Sequence, residues 1–172
     1  VLDVESYEQI AEYKGKLPPD EFGYLISNIG KAYNNALAVV ESNNLGFMTI
    51  QTLVDIKYPN IFYRSKSEKP YVDILNSVTL INDGKANPGF ETSGKTRPLI
   101  ISKLEEDIRN KQVVIHSSRT IDELKTFVFE NGKPQAMDGY NDDLVMSLAI
   151  AMYVSSTSLR LFISETGLST LT

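Results

Sequence analysis

The sequence contains no cysteine, which excludes disulfide bonds and thiolate metal sites. It also contains no apolar run that approaches the roughly 20 residues with which a helix crosses a bilayer. The N-terminus has no basic segment followed by an apolar one, so no secretory signal peptide is predicted. We therefore expect a protein without membrane contact, in a reducing compartment.

An overall excess of positive charge is absent as well. The net charge is −5 at pH 7, which excludes a uniformly basic nucleic-acid-binding protein. The two signs are unevenly distributed, however: residues 1–56 carry eight acids against three lysines, whereas residues 57–97 carry seven basic side chains against four acids. A metal-dependent nuclease needs such a combination, with carboxylates for cations and basic side chains for phosphates. A mixed, solvated surface is the alternative reading.

The length and composition predict one soluble globular domain. A chain of 172 residues, 42% hydrophobic and 23% charged, is long enough to bury a sizeable core. The chain has no initiator methionine and begins with Val1-Leu2-Asp3-Val4, which resembles the middle of a strand. We therefore expect it to be a fragment of a longer protein.

Short β-type segments alternate with helical patterns along the chain. The β-type segments are rich in β-formers or are continuous apolar runs, typical of strands buried on both faces: residues 7–13, 36–40, 61–63 and 113–115. Apolar residues at helical spacing predict helices over about 18–33, 47–58, 97–110, 120–127 and 144–154. A Thr-x-x-Glu capping box opens the fourth helix, at Thr120. This alternation predicts an α/β layered domain with parallel strand pairs.

Residues 64–97 are the most loop-like part of the chain. They are polar and rich in turn-forming residues, and a single apolar patch at residues 72–81 interrupts them. We predict an inserted or mobile loop or hairpin over this segment.

The run Gly89–Thr96 matches the P-loop pattern letter by letter. A P-loop requires an apolar strand directly before the run and a helix that opens at its lysine. Residues 82–88 do not form a strand pattern, and Pro98 lies where the helix would already be under way. Instead of a nucleotide site, we predict a basic loop at a helix N-terminus in which Lys95 and Arg97 contact DNA phosphates.

Three carboxylates stand at positions where chemistry is expected. Glu41 ends the apolar run 36–40, and ligands bind at the carboxyl ends of strands in open α/β sheets; a strand end that reaches solvent is the alternative. Asp142 and Asp143 open an apolar, and hence buried, helix. The usual meaning of such a pair is a helix cap and a complement to the helix dipole. The residues alone leave both meanings open.

The only histidine, His116, follows the apolar run 113–115. A lone histidine is more often structural than a ligand or a general base, and we interpret His116 in this way. A Ser/His/Asp triad would be supported by a Gly-x-Ser-x-Gly turn, which the sequence lacks.

Several of these segments together resemble the nuclease domain of phage large terminases of the T4-like type, the DNA-packaging motor subunits. The most specific run is Gly-Tyr-Asn-Asp-Asp-Leu-Val-Met-Ser, at Gly139–Ser147. The other resembling runs are Val40–Gly46, Lys95–Arg97, Val114–His116 and Thr120–Phe127. The resemblance covers nearly the whole chain except residues 64–90.

The resemblance implies a single RNase H-like nuclease domain over residues 1–172, with a mixed sheet flanked by helices. It also implies a carboxylate cluster that binds Mg²⁺ or Mn²⁺. Glu41 would be the second acid of the cluster and Asp143 the third, with Asp142 beside it as a ligand or an orienting group. A hard divalent cation prefers oxygen ligands, activates water and stabilises the leaving oxygen of a phosphodiester.

The family's first acid lies on a first strand that this chain does not contain. Either the fragment begins after that strand, or another acid such as Asp3 or Glu5 takes its place. If no acid replaces it, metal affinity and cleavage should both be poor.

The resemblance also implies a biological setting. The substrate would be concatemeric double-stranded viral DNA, cut at the start and end of packaging with little sequence preference. The partners would be the portal, the small terminase subunit and, in the full protein, an N-terminal ATPase domain, so ATP should not affect this chain. The location would be the host cytoplasm, at the procapsid portal.

Two alternatives remain open. Another RNase H-like nuclease, such as a resolvase, would bind DNA in a sequence- or junction-specific way. A catalytically incomplete fragment would bind DNA or dock on the portal without cutting, and the missing first acid favours that reading for this chain.

Overall fold

The computed structural model describes residues 1–43, 45–65, 86–130 and 132–166. These residues form five helices and three two-stranded antiparallel sheets. In chain order the elements are β1 (Leu2–Asp3), β2 (Glu8–Gln9), α1 (Pro19–Ala32), α2 (Gly46–Asp55), β3 (Tyr63–Ser65), β4 (Ala86–Pro88), α3 (Thr96–Arg109), α4 (Ser118–Lys125), β5 (Phe127–Glu130), β6 (Lys133–Ala136) and α5 (Asp143–Thr166).

The chain divides into two compact units. The middle unit is Lys16–Thr92 and contains α1, α2, β3 and β4. The split unit combines Val1–Gly15 with Ser93–Thr172 and contains the remaining elements.

Helix α1 begins at Pro19, as the sequence predicts. Proline is tolerated in a first turn because the N–H that it lacks would have no helical partner there. Asp20 and Glu21 complement the positive end of the helix dipole. After the helix, Asn34 and Asn35 adopt positive φ angles of 55° and 54°, a conformation in which asparagine is enriched. The helix therefore begins and ends where local sequence preferences place its ends.

Small residues make the contact between α1 and α2. The fully buried residues of α1 are Gly23, Ser27 and Gly30, which share one face. A Cβ atom built on Gly23 would lie 2.7 Å from Cβ of Thr52 in α2, and one built on Gly30 would lie 2.0 Å from the Tyr58 hydroxyl. Helix α1 thus lies closer to its neighbours than a residue with a side chain at these positions would allow.

Tyr58 anchors the apolar core of the middle unit. It is buried together with Ala38 and Leu53, and its hydroxyl donates a hydrogen bond to the Ala36 carbonyl at 2.5 Å. Burial raises the pKa of Tyr58, because the phenolate would lose its hydration. Half-buried apolar residues surround this cluster: Ile26, Val40, Ile56 and Ile61.

Helix α5 is the central helix of the split unit. Its buried apolar residues occupy most of its circumference: Leu144, Val145, Met146, Leu148, Ala149, Ile150, Met152 and Val154. It contacts α3, α4 and β1, and α3 contributes the buried side chains of Ile100, Ile101 and Leu104. A helix that is apolar nearly all round is expected to be surrounded by other elements.

Polar side chains attach the N-terminal segment to α4. The buried amide of Gln9 donates to the Thr120 hydroxyl at 3.1 Å and accepts from the Ser117 backbone N–H at 3.1 Å. Nearby, Arg119 Nε donates to Glu12 at 2.6 Å. The amide of Gln9 is tolerated in the interior because both of its polar groups have partners.

The strands β5 and β6 form a hairpin that was not predicted. Residues 127–130 pair with residues 133–136, and Gly132 adopts a φ of 76° between them. The dipeptide Asn131-Gly132 is one of the strongest sequence signals for a hairpin turn. The predicted helix over 120–127 accordingly ends earlier, at Lys125.

The expectation of an RNase H-like mixed sheet flanked by helices is wrong. In the described part of the chain, every sheet has two antiparallel strands, and parallel pairing is limited to isolated bridges at Glu8–Val114, Ala38–Ile61 and Glu41–Phe90. The prediction assumed strands buried on both faces. Val114 is instead 44% exposed, and Val39 and Val40 are only half-buried.

Much of the predicted insertion at residues 64–97, including the apolar patch at 72–81, lies outside the described residues. Its described flanks form β3 and β4, which pair from Tyr63 with Pro88 to Ser65 with Ala86. The expectation that residues 82–88 form no strand is therefore wrong at Ala86–Pro88.

Within the described ranges, no helix is both long and apolar enough to cross a bilayer.

Replacing Gly23 with alanine should destabilise the middle unit. The new Cβ would overlap Thr52, and the shift of α1 away from α2 should lower the free energy of unfolding by about 1–3 kcal/mol, as is typical of overpacking. Gly94→Ala is the matched control, because nothing lies within 4 Å of a Cβ built there. Chemical denaturation measures both variants, and equal midpoints would contradict the close approach of the two helices.

Candidate functional site

Backbone pairing fixes the position of Glu41 in the middle unit. The Phe90 N–H donates to the Val40 carbonyl at 2.8 Å, and the Ser42 N–H donates to the Phe90 carbonyl at 2.7 Å. These two bonds form a parallel bridge between Glu41 and Phe90. The prediction that Glu41 ends a buried strand is therefore wrong, because the segment before it pairs only through isolated bridges, at Ala38 and at Glu41 itself.

The carboxylate of Glu41 is half-buried and held by an asparagine. The side-chain amide of Asn43 donates to Glu41 Oε1 at 3.2 Å and to the Thr92 carbonyl at 2.9 Å. One amide group thus connects the carboxylate to a fixed backbone oxygen, which limits the directions in which Glu41 can point.

Two glycines allow the backbone to pack closely around Glu41. A Cβ atom on Gly46 would lie 1.8 Å from the Glu41 carbonyl oxygen. Gly89 has a φ of 88°, and a Cβ there would lie 2.9 Å from the Val40 carbonyl oxygen and 2.4 Å from Ile50 Cδ1. Gly46, the glycine of the Val40–Gly46 run, is therefore required for a steric reason: the tight turn from Glu41 into α2 leaves no space for a side chain.

Asp142 and Asp143 lie at the start of α5 in the split unit. Asp142 Oδ2 pairs with Arg97 Nη2 and also accepts the Ala136 backbone N–H at 3.3 Å. Asp143, the first residue of α5, is exposed. Asp142 is thus fixed by neighbours that are distant in sequence, whereas Asp143 presents its carboxylate to solvent.

A third acid, Glu123, also contacts the start of α5, although the sequence pattern predicts a different role for it. The Thr-x-x-Glu pattern predicted that Glu123 closes a capping box on α4. In the structure Ser117 caps α4 and accepts the Thr120 N–H at 3.1 Å. Glu123 Oε2 instead accepts the backbone N–H groups of Leu144 and Val145, at 2.7 and 3.2 Å.

Lys14 is the cationic partner of Glu123. Its ammonium group bonds to Glu123 Oε1. This hydrogen bond raises the pKa of Lys14 above its ordinary value of 10.5, and the negative charges of Glu123 and Asp143 act in the same direction. Lys14 therefore remains charged throughout the neutral range.

The loop before α3 is organised by its own side chains. The Ser93 N–H donates to the Thr96 hydroxyl at 2.7 Å, and the Thr96 and Lys95 N–H groups lie 3.2 and 3.3 Å from the Ser93 hydroxyl. A P-loop needs such backbone N–H groups free for phosphate, and here side chains use them.

The two basic residues of this loop have different surroundings. Lys95 is exposed. Arg97 is half-buried, and besides its pair with Asp142 it donates from Nε to the Pro134 carbonyl at 2.8 Å. Pro134 belongs to β6, so Arg97 connects α3, the hairpin and the start of α5. This arrangement makes Lys95 the more available of the two for a phosphate.

His116 is in contact with Glu8. Its Nε2 is 2.9 Å from Glu8 Oε1, and both side chains are well exposed. A concave surface of about 310 Å³ lies beside it, lined by residues 9–12 and 116–119. Ser117, which follows His116, uses its hydroxyl to cap α4.

Thiolate ligands are excluded for a metal, since the chain has no cysteine. Glu41 and Asp143 have accessible carboxylates, the donors that Mg²⁺ and Mn²⁺ prefer. Among residues 1–43, 45–65, 86–130 and 132–166, no three His, Asp or Glu side chains are grouped so that they could hold a metal ion. Each carboxylate taken singly has the donor chemistry of a hard-cation ligand, and Asp142 is already paired with Arg97.

No protein-family model matches this chain. A function has to be inferred from the residues and contacts described above.

Replacing Gly46 with alanine should destabilise the middle unit and displace Glu41. The overlap would be with a backbone oxygen, which cannot rotate away, so we expect the free energy of unfolding to fall by about 2–4 kcal/mol. Amide chemical shifts of Ser42 and Asn43 should report the displacement. Glu41→Gln keeps the backbone unchanged and should alter stability by no more than about 0.5 kcal/mol. Similar stabilities for the two variants would contradict this packing.

Proposed function

We propose that this chain is the nuclease portion of a phage large terminase, a Mg²⁺- or Mn²⁺-dependent endonuclease that cuts concatemeric double-stranded DNA during genome packaging. The run Gly139–Ser147 carries the proposal. It resembles the terminase pattern in sequence, and its two acids stand at the start of a helix whose next residues are buried. Acids at the surface end of a buried helix are supported by a rigid base, which a reactive site requires.

The start of α5 has physical properties that suit phosphodiester chemistry. Asp143 is exposed there, so its carboxylate is accessible to a cation, while Val145 and Ala149 fix the helix in the core. The combination brings a carboxylate ligand to a rigid and solvent-accessible position.

Each proposed residue has a separate role. Glu41 and Asp143 are ligands of the cation, and Asp142 is a ligand or an orienting group beside Asp143. When bound, the cation activates water and stabilises the leaving oxygen. The chain itself supplies the orientation: Asn43 directs the carboxylate of Glu41, and Arg97 directs that of Asp142.

Lys95 is the proposed contact to the phosphate backbone, since it is exposed at the start of α3. That Arg97 also contacts the phosphate backbone stays a prediction. A phosphate would have to compete with Asp142 and the Pro134 carbonyl for its guanidinium. Arg97 therefore serves the site first by holding Asp142.

The cellular setting belongs to the same proposal. The portal, the small terminase subunit and an N-terminal ATPase domain of the full protein are the proposed partners. The proposed location is the host cytoplasm, at the procapsid portal.

Glu41→Ala and Asp143→Ala should each abolish the nicking of supercoiled plasmid by this chain in Mn²⁺. Each substitution removes a carboxylate on which the cation depends, and loss of a metal ligand is expected to lower cleavage by at least about 100-fold. Asp55→Ala and Asp122→Ala, in exposed acids of the middle and split units, are matched controls that should retain activity.

Two outcomes of this assay would contradict the proposal or change it. Failure to nick by the 172-residue chain and by a chain extended upstream would favour a DNA- or portal-binding protein without catalysis. Cleavage confined to branched junctions would favour a resolvase.

Lys95→Ala should weaken DNA binding equally for unrelated sequences. Loss of one phosphate contact should reduce the slope of log K against log salt concentration by about 0.9. Fluorescence anisotropy with two duplexes of different sequence, in Ca²⁺ to prevent cleavage, measures this slope. Lys125→Ala, in an exposed lysine at the end of α4, is the control. An unchanged slope for Lys95→Ala would exclude it as a phosphate contact.

A further inference from the structure

We propose that Glu123 is a positioning residue for Asp143, and that it caps α5 in place of Asp142. The inference rests on the proposed function, because it explains how the acids that would bind the cation are presented. It concerns only the split unit, in which all the participating residues lie.

The geometry at the start of α5 identifies Asp142 as the residue in the N-cap position. Its carbonyl accepts the Met146 N–H at 2.8 Å, the first i to i+4 bond of the helix. An aspartate at this position normally turns its side chain back to accept an N–H from the second or third helical residue. Those residues are Leu144 and Val145, and both N–H groups donate to Glu123 Oε2 instead.

Because Glu123 accepts the N–H groups that Asp142 would normally accept, the Asp142 side chain is available for other contacts. It turns to Arg97 and to the Ala136 N–H. Local capping, which is the usual meaning of an Asp-Asp pair before a helix, is therefore not the role of Asp142 here.

The charges at this helix start leave Asp143 as the accessible anion. Glu123 pairs with Lys14, and Asp142 pairs with Arg97. Among the ion pairs formed by the described residues, none includes Asp143. Lys14 and Arg97 thus pair directly with two of the three carboxylates, and the third, Asp143, is exposed and acts on Lys14 only through its charge.

Burial makes the Glu123 contacts rigid. Glu123 is 8% exposed, and a buried carboxylate is stable only when charged or polar partners replace water. Here two backbone N–H groups, the positive end of the α5 dipole and Lys14 replace it. Because these partners are fixed by the fold, the first turn of α5 is held in one place, and Asp143 with it.

The test measures metal binding and capping separately, with Mn²⁺ alone as the probe. Mn²⁺ bound at Asp143 broadens the amide NMR signals of Asp143 and Leu144, and the midpoint of a titration gives the affinity. We expect Glu123→Ala to raise this midpoint by about 10- to 100-fold, the usual effect of removing a group that orients a metal ligand. Glu123→Gln should raise it much less, because its amide oxygen can accept the same two N–H groups.

Hydrogen exchange at Leu144 and Val145 reports the cap without any metal. Glu123→Ala should accelerate their exchange by about 2- to 30-fold, the range that follows from typical N-cap contributions. Asp122→Ala, in the exposed neighbour of Glu123, should change neither the exchange rates nor the midpoint.

The outcomes separate this inference from the proposed function. Faster exchange in Glu123→Ala with a wild-type Mn²⁺ midpoint would make Glu123 a structural cap only and overturn the inference alone. Absence of Mn²⁺ broadening at Asp143 in the wild-type chain would overturn both the inference and the proposed function. In that case, faster exchange of Leu144 and Val145 in Glu123→Ala would still identify Glu123 as the cap of α5. If Glu123→Ala does not fold, Glu123→Asp replaces it. That variant keeps the charge opposite Lys14 and withdraws the acceptor from Leu144, so a wild-type midpoint in it would also overturn the inference.

Discussion

The buried carboxylate of Glu123 is the interaction on which the split unit depends most. Removing a carboxylate from water is costly, and the cost is offset only if several partners converge on it. Its partners come from separate parts of the chain: Lys14 from the N-terminal segment, and Leu144 and Val145 from α5. Because Glu123 itself belongs to α4, one side chain fixes three segments relative to one another, and the loss of any partner would leave a buried charge incompletely compensated.

The helices could be predicted from the sequence because their signals are local. A proline followed by two acids begins α1, and a polar turn with Gly46 begins α2. The sheet could not be predicted in this way. An apolar run such as residues 113–115 shows which side chains could be buried. Whether both faces of the strand are covered, however, depends on elements that are far away in sequence. Val114 remains 44% exposed, so the premise of a central parallel strand fails.

The candidate site shows the same division between local and distant causes. Glu41 and Asp143 were identified because each stands at the end or the start of a recognisable element. Glu123 was assigned to the wrong helix, because the spacing from Thr120 describes a local cap that Ser117 in fact provides. Its true partners lie 21 and 22 positions later, a separation for which no local pattern exists. The hairpin, in contrast, had a visible signal in Asn131-Gly132.

The split unit is made of two stretches of chain with the middle unit between them. Lys14 and Glu123 are 109 positions apart. A ribosome that adds 5–20 residues per second needs roughly 5–20 s to cover that distance. During this interval the nascent N-terminal segment lacks the helix that satisfies both Lys14 and the amide of Gln9. The contiguous middle unit is complete before α4 is made, so vectorial synthesis gives it time to fold first, while residues 1–15 still lack their contacts with α4.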